Sequence, residues 1–243
     1  MNLIKLNATD STNTFLRQLA QHHAVEDYTV VMAEKQLNGR GQMGTTWVSE
    51  PGKNLTFSVF KRIEHLDKSE QFYISMAVSL AIYDALTYFT IPQLKIKWPN
   101  DILSVNSKIC GILIESIIQK GEMFACIVGV GLNVNQTDFN GVTNASSLKS
   151  ITGIHYEKEE VLQKIIECFR QYETWVANKK LQKIKEKYVE HLFRRDKPST
   201  FKLQNGELIM GFIKGVADNG CLQVLLEDEV LKEFDLKELK LLY

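Results

Sequence analysis

The alternation and recurrence of apolar positions along the chain mark out most of its elements before any chemistry is considered. Leu3-Ile4-Lys5-Leu6 has the short alternation of a strand. Asp10-Ser11-Thr12-Asn13 is a cluster of side chains that favour helix N-caps. Phe15, Leu16 and Leu19 then fall on one face, which predicts a helix starting at this cluster and running to His22. Residues 28–33 and 54–60 predict two more strands, joined by a turn-rich segment that carries Gly39, Gly41 and Gly44. From residue 69 to 89 the apolar positions recur at helical spacing, densely enough for a largely buried helix. Residues 94–98 alternate as a strand and stop at Pro99, and Pro99-Asn100-Asp101 reads as a turn. Beyond a polar tip at 104–107, two strongly apolar strands follow at 108–115 and 124–134. Residues 157–187 read as one helix or two, with Ile165, Ile166, Phe169, Tyr172 and Trp175 as the apolar stripe.

Past Phe193 the character changes. Runs at 200–203, 206–213, 220–226 and 230–234 are short strands separated by turn residues, the pattern of a small barrel. The expected organisation is therefore a larger domain at residues 1–195 and a smaller one at 196–243. The second is small enough to need docking on the first for stability.

Composition narrows the classes. Apolar residues at 44% and charged residues at 24% are those of an ordinary folded domain rather than a disordered chain. Lys+Arg and Asp+Glu balance at 29 each, which argues against a protein that holds nucleic acid chiefly by charge. A local basic pocket stays compatible with that balance. Cys110, Cys126, Cys168 and Cys221 form no CxxC pair, and three of them sit in apolar runs, as buried free thiols do. The first ten residues lack the apolar stretch of a signal peptide, and the apolar run at 109–118 is too short to span a bilayer. A cytoplasmic location is expected, with no membrane or DNA partner.

Gly39-x-Gly41-x-x-Gly44 has the spacing of a dinucleotide-binding fingerprint, but that motif needs a helix to begin inside it. Pro51 and Gly52 break any such helix, so the segment joins strand to strand. A P-loop fails as well, because Gly52-Lys53 is followed by Asn54 rather than Ser or Thr. Glycine here lets the backbone approach a ligand, and Arg40 adds a planar cation suited to carboxylate or phosphate. A plain hairpin connection fits the same residues. Ser11, Thr12 and Asn13 read either as helix caps or as donors to a ligand, and Gln36 either as a solvated loop amide or as a ligand contact. Gly129 and Gly131 leave one side of their strand bare, which suggests close approach by a ligand.

The ordered set is more specific than its parts. Ser11-Thr12-Asn13, Gly39-Arg40-Gly41-Gln42-x-Gly44-x-x-Trp47, Lys97-Trp98-Pro99-Asn100-Asp101, Lys108-x-x-Gly111-Ile-Leu-Ile-Glu115 and Gly129-x-Gly131-Leu-Asn133 follow one another in order. The series resembles the biotin protein ligases (biotin–[acetyl-CoA-carboxylase] ligases), over about residues 9–135, and the C-terminal barrel fits that family too. The resemblance implies an α+β fold: a mixed-sheet catalytic domain flanked by helices, of the class II synthetase-like kind, plus a C-terminal SH3-like β-barrel. It implies ATP and biotin as substrates with Mg²⁺, a biotinyl-5′-AMP intermediate, and transfer to a lysine on the biotin carboxyl carrier domain of a carboxylase.

Carried over by position, Ser11, Thr12, Asn13 and Gln36 are expected at biotin's ureido end. Gly39, Arg40, Gly41 and Gln42 close over the ligand, with Arg40 on its carboxylate or the phosphates. Lys108 bridges the carboxyl and α-phosphate, and Gly111 keeps the sheet floor clear. Trp47, Lys97, Asn100 and Asn133 belong near the nucleotide, and Asp101 orients the incoming amine. Arg40, Lys108 and Asp101 are the catalytic candidates.

Two departures stand out: Gln42 and Met43 occupy positions where some relatives carry basic residues, and only ten residues precede Ser11. The second implies a ligase without the DNA-binding domain of bifunctional relatives. A lipoate–protein ligase or a non-catalytic biotin- or nucleotide-sensing protein is the alternative, and the sheet leaves room for a homodimer.

Overall fold

The computed structural model describes residues 1–63, 66–139 and 141–243. Twelve strands and five helices are found among them. β1 (Asn2–Thr9) is followed by α1 (Thr12–His22), β2 (Thr29–Gln36) and β3 (Leu55–Arg62). Then come α2 (Phe72–Tyr88), β4 (Leu94–Lys97), β5 (Asp101–Ser104), β6 (Ser107–Gln119) and β7 (Glu122–Leu132). The helices α3 (Leu148–Thr152), α4 (Lys158–Ala177) and α5 (Leu181–Glu190) complete the first part. The last five strands are β8 (Pro198–Leu203), β9 (Leu208–Val216), β10 (Leu222–Leu226), β11 (Leu231–Phe234) and β12 (Leu239–Leu242).

Seven strands form one sheet in the order β1-β2-β3-β7-β6-β5-β4. β1 and β2 run parallel with α1 as their crossover, and every other neighbouring pair is antiparallel. The sheet is therefore mixed, and the α+β class read from the sequence is the one observed. A sheet buried on both faces needs apolar residues on both sides of its strands. Here α1 covers one face through Leu16, which packs with Val31, Phe60 and Ile127. On the other face lies α2, enclosed by the sheet and α4, with Met76, Leu80 and Ala81 at 1% exposure or less. That burial explains why apolar residues crowd its whole circumference rather than one stripe.

The C-terminal strands make a five-stranded antiparallel sheet in the order β11-β10-β9-β8-β12. Polar contacts fasten it to the helical side of the first sheet. Trp98 Nε1 donates to the Gly220 carbonyl at 2.9 Å, and Tyr73 Oη and Lys185 Nζ both reach Asp218 Oδ1, at 2.7 and 2.8 Å.

Of the one or two helices expected over residues 157–187 the structure has two, α4 and α5, with Lys179 between them in the left-handed region at φ 53°. Three expectations need correction. Asp101 is not a turn residue: it opens β5 opposite Lys97, so the turn is confined to Trp98–Asn100. Gln36 is the last residue of β2 rather than part of the loop. Helix α3 was not anticipated, because five residues carry too little periodicity to be read. Among the described residues, no helix is long and apolar enough to cross a membrane.

Candidate active site

A cavity of about 380 Å³ opens above the β6–β7 pair, where Gly111 faces Gly131 and Leu113 faces Gly129 across the ladder. One end is made by the start of α1. Thr12 donates to Gln36 Oε1 from its backbone N–H at 2.9 Å and from its hydroxyl at 3.1 Å. The Ser58 hydroxyl lies 2.7 Å from Thr12 Oγ1 and 2.6 Å from Asn13 Oδ1. Asn13 Nδ2 donates to Glu115 Oε2 at 2.8 Å and to the Leu113 carbonyl at 3.3 Å. Ser11 makes no capping hydrogen bond to the helix. The polar trio thus does not behave as a set of caps: Thr12 and Asn13 are tied across to β2, β3 and β6. With its oxygen engaged, Gln36 keeps its amide N–H groups for donation.

The glycine loop folds back on itself. Gly41 N donates to Thr45 O at 2.7 Å and Trp47 N to Gly39 O at 2.9 Å. A Cβ on Gly39 would lie 2.3 Å from the Trp47 carbonyl oxygen, and one on Gly41 would lie 2.4 Å from Thr45 Oγ1. Both glycines are therefore required by the loop's own pairing. Arg40 Nη2 donates to Glu115 Oε2 at 3.0 Å. Trp47 turns inward, and its ring covers Gly131: a Cβ there would lie 2.4 Å from Trp47 Cε2. At Gly129, a Cβ would lie 2.2 Å from Asn13 Oδ1. The bare side of β7, read from sequence as a ligand surface, is thus covered by Asn13 and Trp47 of the chain itself.

The other end is cationic. Lys108 Nζ lies 2.7 Å from Asp101 Oδ1 and 5.6 Å from the Trp47 ring centroid, while Lys97 Nζ is 3.6 Å from Asp101 Oδ2. Burial lowers the Lys97 pKa, and the charges of Lys108 and Lys240 push the same way against the opposing pull of Asp101. Lys240, from β12, lines the same cavity. Asn100 is committed to the strand: its Nδ2 donates to the Ile112 carbonyl at 2.8 Å and its carbonyl accepts from Ile112 N at 2.9 Å. The site therefore pairs a polar, hydrogen-bonding pocket with a lysine-rich mouth across a glycine floor. That layout suits an elongated ligand, polar at one end and anionic at the other.

The sequence profile of the biotin/lipoate A/B protein ligase family matches residues 6–133. The chain belongs to that family. It is 30% identical to the biotin–[acetyl-CoA-carboxylase] ligase of Paracoccus denitrificans, over 89% of this chain and 91% of that protein. It is 34% identical to the bifunctional ligase/repressor BirA of Bacillus subtilis over 69% of this chain, and spans about half that relative's length, 52%. The fold superposes on the biotin protein ligase from Aquifex aeolicus in complex with biotin and ATP with a TM-score of 0.84 and 27% identity, covering 99% of this chain and 98% of that one.

Within this family member, most of the residues singled out in the sequence converge on the cavity: Ser11, Thr12, Asn13, Gln36, Arg40, Gly41, Gln42, Trp47, Lys97, Asn100, Asp101, Lys108 and Gly111 all line it. Gly39 and Asn133 do not. Gly39 is held beneath Trp47, and Asn133 is 5% exposed with its Nδ2 on the Ser146 carbonyl at 3.0 Å. Sequence reasoning missed Lys240, which no local pattern links to residues two hundred positions away. It also missed Ser58, although a serine between Phe57 and Val59 in an apolar strand was a usable signal. Among the described residues, no three His, Cys, Asp or Glu side chains have metal-binding geometry. Asp101, the carboxylate in the cavity wall, is already paired to two lysines.

Proposed function

We propose that the chain joins biotin to a lysine of a biotin carboxyl carrier domain in two steps. A biotin carboxylate oxygen attacks the α-phosphorus of ATP, entering as the MgATP complex; a P–O bond forms and pyrophosphate leaves. The carrier lysine amine then attacks the acyl carbon, the C–O bond to AMP breaks, and an amide remains. Lys108 and Arg40 are the cations for the charge that builds on the carboxyl and phosphoryl oxygens, where preorganised donors lower barriers most. Thr12, Asn13, Gln36 and Ser11 form the ureido end. Asp101, 2.7 Å from Lys108, fixes that ammonium and provides a carboxylate to orient the incoming amine. Trp47 and Lys97 serve the nucleotide. Positioning does most of the work, because two anionic reactants must be held together.

The observation that carries this reading is the conjunction of the Thr12–Gln36–Ser58–Asn13 network with the Lys108–Asp101 pair in one cavity. The polar network favours biotin over lipoate, whose dithiolane would leave those groups unpaired. The deciding experiment supplies ATP, Mg²⁺ and a carrier domain with labelled biotin or labelled lipoate. Biotin on the carrier lysine is expected. Lipoate on the carrier instead points to the sister activity, and an unlabelled carrier with bound biotin points to a sensor.

A further inference from the structure

Glu115 stands just behind the cavity wall and takes part in none of the roles above. It lies on β6, with its side chain 20% exposed. Its Oε2 accepts from Asn13 Nδ2 at 2.8 Å and from Arg40 Nη2 at 3.0 Å, while Oε1 faces Arg17 Nη2 of α1 at 3.8 Å. One carboxylate therefore serves two guanidinium groups and the polar end of the site.

That arrangement carries one positive charge more than neutrality requires, and the two arginines are not equivalent. Arg17 sits on a packed helix. Arg40 sits on the loop, 46% exposed, beside the cavity it lines. A half-exposed ion pair is held weakly, so another anion entering the cavity competes for Arg40 on nearly even terms. If Arg40 leaves, Glu115 keeps Arg17 and the Asn13 amide, and no buried carboxylate is stranded. Stranding would make the exchange costly, and here it is avoided.

We propose that Glu115 is a positioning residue for Arg40. It parks the guanidinium on the sheet until an anionic group of the substrate takes it over, with Arg17 compensating the vacated carboxylate. Because Asn13 shares the same oxygen, the carboxyl end and the ureido end of the ligand are registered against one anchor. The inference rests on the reading of Arg40 as a contact to the ligand's anionic group.

The test is calorimetric binding of three probes: biotin, biotinol (the uncharged alcohol) and a non-hydrolysable sulfamoyl mimic of biotinyl-adenylate. Glu115→Gln keeps an acceptor for Asn13 and removes the charge that competes for Arg40. It is expected to tighten biotin or the adenylate mimic roughly three- to fivefold, the range of a weak surface pair, and to leave biotinol unchanged. In an Arg40→Met background the same substitution is expected to do nothing. Arg17→Met acts in the opposite direction, weakening the anionic probe about twofold, since Glu115 then holds Arg40 alone. Equal weakening of biotin and biotinol by Glu115→Gln overturns the proposal in favour of a merely structural role, and so does an effect that survives Arg40→Met. Wild-type protein that binds none of the three probes overturns the ligase reading itself, and this inference with it.

Discussion

Gly129→Ala is the sharpest probe of how the site is built. Gly129 is locked in register on both sides, opposite Ser58 of β3 and Leu113 of β6, so its backbone cannot retreat. The added methyl would lie 2.2 Å from Asn13 Oδ1, 2.8 Å from Cγ and 3.0 Å from Nδ2. Asn13 is 3% exposed in the first turn of α1, and its amide is held by Ser58, Glu115 and the Leu113 carbonyl, so it can move aside only by breaking those contacts. Overpacking of this kind costs about 1–3 kcal/mol. Displacing the amide also gives up its contact with Ser58 and its donation to Glu115, each worth about 0.5–1.5 kcal/mol or somewhat more for the charged acceptor. The expected loss is about 3 kcal/mol in urea unfolding. Asn13→Ala alone removes the hydrogen bonds but leaves Ser58 with Thr12 and Glu115 with Arg40, and is expected to cost about 1–2 kcal/mol. The double variant removes the atoms that clash, so it should be no less stable than Asn13→Ala. The cycle then shows a coupling of about 2–3 kcal/mol. A double variant destabilised by the sum of the single losses would refute the claim that Asn13 is what makes glycine obligatory at position 129.

Other expectations follow from the same contacts. Lys108→Ala removes the cation nearest Asp101 and should slow biotin-dependent pyrophosphate release by about 10²–10³, as loss of a transition-state donor does; near-normal release would remove Lys108 from the chemistry. Of the three tryptophans only Trp47 lines the cavity, so biotin with ATP should change the intrinsic emission, and Trp47→Phe should abolish that change while Trp175→Phe preserves it. The hydrogen bonds from Lys185 and then Tyr73 hold the Asp218 pKa below its ordinary value. Its contribution to stability is therefore present above about pH 4 and is lost as acid protonates the folded form. Asp218→Asn should flatten the acid limb of a Tm-against-pH curve without moving Tm dependence near neutrality. An unchanged acid limb would show that this link between the two sheets carries no stability.

Local pattern revealed elements wherever one face was consistently buried. The 3.6-residue recurrence of α4 is an instance, since burial of that face imposes the pattern itself; α2, β2 and β3, buried on more than one side, were legible as dense apolar runs instead. Pattern failed at short features and at polar residues whose partners lie on other elements. Asp101 reads as a turn residue because Pro99-Asn100 precedes it, yet it opens β5 and its side chain is fixed by Lys97 and Lys108, neighbours in sequence that only the pairing of β4, β5 and β6 turns toward it. The candidate site was legible because glycines and polar residues interrupt apolar strands at positions where packing alone would favour side chains. The meaning of those interruptions was not. Gly129 and Gly131 are bare to admit Asn13 and Trp47, and Gly39 and Gly41 to let the loop pair with itself. A missing Cβ records that something comes close, but not what.

The same limit applies to charge. Over the whole chain acid and base cancel at 29 each, which hides a local imbalance. Four cations line the cavity, Arg40, Lys97, Lys108 and Lys240, against Asp101 in the wall and Glu115 just behind it. With Arg17, which shares Glu115, five cations face two carboxylates, an excess of three positive charges around one concave, partly desolvated space, where a field is strongest. Each of the two carboxylates is shared between two cations, Arg40 and Arg17 on Glu115, Lys97 and Lys108 on Asp101. Sharing leaves the cations under-compensated; at the lysine end burial is the main reason the Lys97 pKa is lowered, and the charges of Lys108 and Lys240 add to it. An entering anion relieves the under-compensation at both ends at once. Lys240 comes from the C-terminal sheet, so part of that relief is available only while β12 stays docked against the site. The small sheet is thereby coupled to the cavity by electrostatics as well as by the Trp98 and Asp218 contacts. Loosening either contact should weaken binding of an anionic ligand more than that of an uncharged one.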